Sequence, residues 1–278
     1  MILITTPNGK VGSEIVRQLQ AQGEAVRVGA HTVEKARTAF PGAEVVSFDF
    51  GDEGSVRTAL AGVDRLYLAS PGELPAAPVQ RAVDLAREAG VRQVVRLSAM
   101  GVEQGESPLR EVERHIEASD LAWTLLRPNW FMQNYSTLNA AEIRNQGTLS
   151  EPAGEGATSF VDARDIASVA VAALTQDGHA EQAYAITGPA ALTREQVASA
   201  ISQALGREVR YVPVSEAQFQ EGMRASGAPE HYVGLMTTLY GAVRAGYTAT
   251  VTDDVQRVTG RPAIPFEQFA RDHADAWR

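Results

Sequence analysis

Residues able to do chemistry gather where short apolar runs end. The run Ile2 to Thr5 leads into Thr6-Pro7-Asn8-Gly9-Lys10-Val11-Gly12 and then into a helical pattern. A strand, a turn and a helix in that order let backbone N–H groups and the positive helix end hold a pyrophosphate. Gly9 permits close backbone approach, and Gly12 lets the helix sit tightly on the strand. Thr6 stands where such a loop usually has its leading glycine. If position 6 takes a positive φ, threonine there costs about 1–2 kcal/mol, so either Pro7 remodels the turn or the phosphate fit is looser. A triphosphate-cleaving loop fits worse, because Val11 follows Lys10 where serine or threonine would bind magnesium. The plain alternative is an ordinary turn between strand and helix.

The next strand end carries His31 and, four residues on, Lys35, with no acid at that corner. A carboxylate there would grip a ribose 2′-hydroxyl, whereas cations accept a 2′-phosphate. NADP(H) is therefore expected, with NAD(H) tolerated, because an imidazole is only partly charged at neutral pH. Solvated residues at a helix start are the alternative for this pair. After the third strand, Asp49 could reach the adenine amine with Phe50 against its ring, or Asp49 or Asp52 could cap the following helix. The later strand ends offer Ala69-Ser70-Pro71, Ser98-Ala99-Met100 and Pro128-Asn129-Trp130, small or uncharged groups suited to a flat nicotinamide.

Only Lys10 and Lys35 are lysines; the other basic residues are arginine. The Tyr-x-x-x-Lys pair of common short-chain dehydrogenases, expected after the Ser98 strand, therefore has no lysine to complete it. Five scattered histidines and no cysteine leave no metal-ligand spacing, so no metal is expected. Ser98 lacks the Gly-x-Ser-x-Gly context of a hydrolase. Asp162 and Asp165 precede the apolar run Ile166 to Leu174, where capping is their simplest role. Arg127 is expected to be buried and paired.

The elements that must position these groups alternate. Strands are expected at Ile2 to Thr5, Ala25 to Ala30, Val45 to Phe48, Arg65 to Ala69, Gln93 to Leu97 and Trp123 to Arg127. Helical patterns intervene, such as Val11, Ile15 and Leu19 followed by Gly23. This is the pattern of an α/β protein with a doubly wound parallel Rossmann sheet, whose ligand crevice lies beyond the strand C-termini. The rhythm changes near residue 128. Residues 1–128 read as the NAD(P)-binding Rossmann core, and 129–278 as a smaller substrate-facing portion with some segments returning to the sheet. Capping boxes at Thr193/Gln196 and Ser215/Gln218 announce helices there. A final amphipathic helix around Phe266, Phe269 and Ala270 is expected to pack on the sheet.

The chain has 278 residues, 44% hydrophobic and 21% charged, in the range of soluble globular proteins. Its formal net charge of -9 argues against nucleic acid and anionic membranes as partners. With no apolar stretch near the roughly 20 residues of a membrane span and no basic leader, a cytoplasmic protein is expected.

The chain resembles the atypical short-chain dehydrogenases of the NmrA-like group, closest to the branch of type 2 quinone oxidoreductases and triphenylmethane reductases. The resemblance runs through Asn8 to Gly12, Val26 to Val28, Glu34 to Ala36, Phe48 to Asp52, Trp123 to Asn134 and Val161 to Ala167. It implies NAD(P)H held by Asn8 to Val11, His31, Lys35, Ala69 to Pro71, Ser98 to Met100 and Asn129 to Asn134. Three positions depart from the family: Thr6 for glycine, His31 for arginine, and Leu109 or Arg110 where a histidine often precedes Glu113. The last leaves no obvious proton donor.

A quinone, azo dye or conjugated cation can take hydride directly and collect its proton from water. Such an enzyme needs a flat apolar slot, with Trp130, Phe131, Met132, Asn134 and Tyr135 as candidates to line it. The stretch with Tyr232, Met236, Leu239 and Tyr240 is a further candidate, although such stripes are more often core. The reading is a reductase passing hydride from NAD(P)H to a small planar hydrophobic substrate, with a homodimer allowed. The alternative is a redox sensor of the NmrA regulatory kind that binds NAD(P) without turnover.

Overall fold

The computed structural model describes residues 1–71 and 74–278. Nine strands are found among them: β1 Ile2–Thr5, β2 Val26–Ala30, β3 Glu44–Ser47, β4 Arg65–Leu68, β5 Gln93–Leu97, β6 Ala122–Pro128, β7 Thr148–Glu151, β8 Gln182–Ile186 and β9 Arg210–Pro213. The helices are α1 Lys10–Ala21, α2 Val33–Ala39, α3 Glu53–Leu60, α4 Ala76–Glu88, α5 Pro108–Glu117, α6 Ala140–Gln146, α7 Ala163–Thr175, α8 Arg194–Leu205, α9 Glu216–Ala225, α10 Glu230–Arg244, α11 Asp254–Thr259 and α12 Phe266–Asp272.

They form two compact units. The first comprises Met1–Pro128, Ala163–Ile186 and Asp254–Arg261. Its sheet has the order β3-β2-β1-β4-β5-β6-β8, every neighbouring pair parallel. Strand order reverses between β1 and β4, which defines the crevice of a doubly wound sheet. The six expected strands are present, and β8 is a seventh. Strands buried on both faces read as continuous apolar runs, and β1 is buried at all four residues. One face is covered by α3, α4 and α5, whose Val56, Leu60, Val79, Val83, Val112 and Ile116 join Leu66, Leu68 and Val94 in a single core. In the same unit α1 and α7 lie together, the Gln18 side chain reaching the Arg164 carbonyl at 3.2 Å and the Ser168 hydroxyl at 3.0 Å.

The second unit comprises Asn129–Asp162, Thr187–Asp253 and Pro262–Arg278. It carries the two-stranded parallel sheet β7-β9. Its core gathers Tyr135, Phe160, Phe266, Phe269 and Trp277. Both capping boxes form, at the starts of α8 and α9. The terminal helix α12 belongs to this core with α8, which corrects the expectation that it packs on the large sheet.

Among the described residues no helix is long and apolar enough to cross a membrane, and no group of three His, Cys, Asp or Glu is arranged to hold a metal.

Candidate cofactor site

The site begins where β1 meets β4. Thr5 is fully buried, and its hydroxyl donates to the Ala69 carbonyl at 2.9 Å while accepting the Ala69 N–H at 2.8 Å. The two strands flanking the reversal are thereby pinned at their C-terminal ends. Thr6 then takes φ 47°, in the left-handed region. Its carbonyl accepts the Gly9 N–H at 3.0 Å. A Cβ on Gly12 would lie 2.4 Å from that same oxygen, so only glycine lets α1 start this close to the turn. No side chain caps α1, and its first turn holds no acid. Asn8 and Gly9 are exposed, Lys10 is half-buried with its ammonium lowered by desolvation, and Val11 is buried. Backbone N–H groups at an uncapped helix start, glycines that keep the helix tight on the turn and no carboxylate in the first turn fit a pyrophosphate.

At the next two strand ends His31 and Lys35 are exposed, and His31 Nε2 stands 3.7 Å from Asp49 Oδ2. The other Asp49 oxygen accepts the Gly51 N–H at 2.9 Å, and Asp52 is the residue that caps α3, accepting the Gly54 N–H at 2.9 Å. Phe50 is half-buried with its ring 5.1 Å from Phe48, edge to face.

Beyond β4 and β5, Ala69 and Ser98 are buried, Ser70, Ala99 and Met100 are half-buried and Pro71 is exposed. The Ser98 and Met100 N–H groups donate to Leu126 and Pro128 of β6 at 2.7 and 3.0 Å. Arg96, in β5, is buried and reaches across to β4, where it donates to the Leu68 carbonyl at 3.2 Å and the Ser70 hydroxyl at 3.1 Å. On α5, Glu113 has no exposed surface. Arg127 grips both of its oxygens, at 3.0 and 2.8 Å, and Arg110 adds a bond at 2.9 Å. Burial pushes the Glu113 carboxyl up, but Arg127 above all, with Ser98 and Arg110, outweighs it and holds the group below the usual carboxylate range.

The structure thus brings Thr6 to Val11, His31, Lys35, Asp49, Phe50, Ala69 to Pro71 and Ser98 to Met100 to the C-terminal ends of β1 to β5. Asn129, Trp130 and Phe131 continue directly from β6 but belong to the second unit. The buried Asn129 amide is used within that unit, donating to Ser159 Oγ at 2.7 Å and the Thr248 carbonyl at 2.9 Å and accepting the Trp130 N–H at 2.9 Å. It is a brace for the chain, so its expected cofactor role falls to the main chain at most. Trp130, Phe131 and Asn134 are half-buried. Tyr135 is 1% exposed, with its ring against Phe160 and Phe266. It is a core residue and does not line an open slot. Met132 and Tyr240 are buried as well, whereas Tyr232 and Met236 are half-buried and Leu239 is exposed.

Three features escaped the reading from sequence. The Thr5 hydroxyl is one. Arg96 was legible only as a charge inside the apolar run Val94-Val95-Arg96-Leu97. The third is the buried Arg194–Glu151 pair of the second unit, 2.8 Å apart, with the guanidinium over Trp130, Phe160 and Tyr240.

A doubly wound sheet with a glycine-bearing turn between strand and helix at its reversal is the arrangement of dinucleotide-binding α/β proteins. Comparison with known proteins agrees: residues 7–177 match a family described as NAD(P)H-binding. An NAD(P)H azoreductase from Xenophilus azovorans is 38% identical over 286 residues, 100% of this chain and 99% of that one. A (4-alkanoyl-5-oxo-2,5-dihydrofuran-3-yl)methyl phosphate reductase from Streptomyces griseus is 36% identical over 285 residues, 100% and 99%. The structure of an NADPH-dependent quinone oxidoreductase from Escherichia coli, complexed with NADPH, superposes with a TM-score of 0.87 at 25% identity, covering 98% of this chain and 99% of that one. The chain belongs to this NAD(P)H-binding family of oxidoreductases.

Proposed function

We propose that the protein is a reductase that takes hydride from NADPH, and less readily from NADH, and delivers it to quinones, azo compounds or similar planar conjugated acceptors. Bound NADPH would supply the hydride. The chain's own part is to hold the pyrophosphate on the turn Thr6 to Gly12, the 2′-phosphate by His31 and Lys35, and the nicotinamide half beside Ala69 to Pro71 and Ser98 to Met100.

The observation that carries the choice of acceptor is the state of Glu113. It is the buried carboxyl on the helix that follows β5, and two arginines keep it ionised. An ionised carboxylate cannot donate the proton that a simple ketone requires when it is reduced. No lysine follows position 35 to build the alternative relay. An acceptor that spreads the incoming electron pair over a conjugated system needs no such donor, and water supplies its proton. Trp130, Phe131 and Asn134 are the candidates to line the acceptor's slot.

The test is NADPH oxidation by purified protein with a panel of benzoquinones, naphthoquinones and azo dyes, alongside aliphatic ketones. Turnover confined to the conjugated acceptors is the expected result. Tight NADPH binding with no turnover on any of them would turn the assignment to a nucleotide-sensing regulator.

A further inference from the structure

Arg96 is 1% exposed in the middle of the large sheet. It pairs with β4 residue for residue at Leu68, and its guanidinium reaches the level of Leu68 to Ser70, the C-terminal edge of that strand. Among the described residues both of its hydrogen-bond partners are neutral, and its buried Nε has no hydrogen-bond partner. The carboxylate whose charge reaches it, Glu113, is already bonded to Arg127 and Arg110. Desolvation pulls the Arg96 guanidinium down to about 10, which still leaves it cationic at neutral pH. Burying a charge with no opposite charge in contact is expensive. Where such a group is kept, a functional cause is the first place to look.

We propose that Arg96 is a specificity-determining residue that makes the site favour the reduced nicotinamide over the oxidised one. This rests on the cofactor reading above: in a doubly wound sheet the dinucleotide lies across the reversal, one half over β1 to β3 and the other over β4 to β6. The pyrophosphate and both riboses are the same in NADPH and NADP+. The rings differ by one positive charge, which NADP+ carries and NADPH does not. A fixed cation inside the sheet beneath the second half repels only the oxidised ring, and through protein rather than water that repulsion is weakly screened. Release of NADP+ is thereby favoured after each turnover. Each tenfold preference for the reduced form raises the potential of the bound couple by about 30 mV. Acceptors of the quinone class, well above nicotinamide in potential, tolerate that loss of driving force.

The experiment is isothermal titration of the full chain with NADPH and with NADP+, reading the ratio of their Kd values. The wild type should bind NADPH several-fold tighter, with a ratio that holds between about 0.05 and 0.5 M salt, since a buried charge is little screened. Arg96→Gln keeps donors for Leu68 and Ser70 and removes the charge; it should lower the ratio about three- to tenfold. Arg96→Lys keeps the charge and should keep most of the ratio. The assignment is overturned by a wild-type ratio at or below one, by a ratio that collapses with salt, by an unchanged ratio in Arg96→Gln, or by equal shifts in Gln and Lys variants. The wild-type arms decide even if the Gln variant fails to fold. If neither nucleotide binds the wild type, the cofactor site itself is misplaced; if both bind and the ratio is indifferent to Arg96, only its role falls.

Discussion

Thr6 joins a defect legible in sequence to a cost visible in structure. Its place ahead of Gly9 and Gly12 marks it as a substitute for glycine, and its φ of 47° shows that the turn still takes the left-handed conformation. Threonine there costs about 1–2 kcal/mol, whereas glycine loses about 0.5–1 kcal/mol in chain entropy. Thr6→Gly should therefore stabilise the fold by about 0.5–1 kcal/mol, raising Tm by roughly 2 °C, without weakening NADPH. A lower Tm in thermal denaturation would mean that the threonine side chain holds something the backbone argument misses. Lys35 gives the second test at this scale. It is exposed, so the bond to a 2′-phosphate proposed for it would lie at the low end for a charged hydrogen bond. Lys35→Glu should weaken NADPH about tenfold and NADH hardly at all, and equal losses in fluorescence titration would place the 2′-phosphate elsewhere. Exposed polar residues at strand ends were readable because that fold puts ligands there. The roles of Arg96 and Thr5 were not, since the atoms their side chains bond lie in or just past a neighbouring strand that sequence spacing does not identify.

Helix α5 illustrates how an element can be legible in outline and silent in purpose. Its Ser107 cap, which accepts the Arg110 N–H, and Pro108 in its first turn mark where it starts. Its sequence is short and charged, and among those charges Glu113 points inward to Arg127 of β6. The pairing joins residues 14 apart on different elements, beyond any local pattern. The same limit hid β8, whose first two residues, Gln182 and Ala183, are exposed at the sheet edge and break the apolar run that revealed the central strands. The clamp has a consequence in acid. The Glu113 carboxyl lies lower in the folded chain than in the unfolded one, so its contribution is complete above the ordinary carboxylate range and fades as pH falls through its folded value. Glu113→Gln should cost about 3 kcal/mol at pH 7, because Arg127 is left with only Glu103 at 3.7 Å, while Arg110 keeps Glu117 at 2.7 Å. Its unfolding free energy should then fall less steeply than the wild type's below about pH 4. Parallel urea-denaturation curves across pH for the two proteins would show that the clamp carries no such linkage.

At the scale of the molecule the chain leaves each compact unit and returns, so neither unit is one continuous stretch. The change of rhythm near residue 128 was visible because the alternation of apolar run and helix stops there. Segments returning to the sheet were expected, but their positions, Ala163–Ile186 and Asp254–Arg261, were not legible, since which sheet a strand joins depends on partners more than 50 residues away. A fragment of residues 1–128 holds the whole turn from Thr6 to Gly12 and six strands, yet it lacks α7, β8 and α11. In α7 the side chains of Ile166, Val169, Val171 and Leu174 are all buried. At about 1.5–3 kcal/mol for each such side chain, these four contribute on the order of 6–12 kcal/mol. The entire stability of a typical domain is only about 5–15 kcal/mol. The fragment would also expose the α1 surface that Gln18 and its neighbours present to α7. It should show no cooperative urea transition by circular dichroism and no saturable NADPH binding, despite carrying every expected cofactor residue up to Met100. A sharp transition with NADPH affinity near that of the full chain would mean that the first six strands are self-sufficient and that the returning segments serve something other than the core.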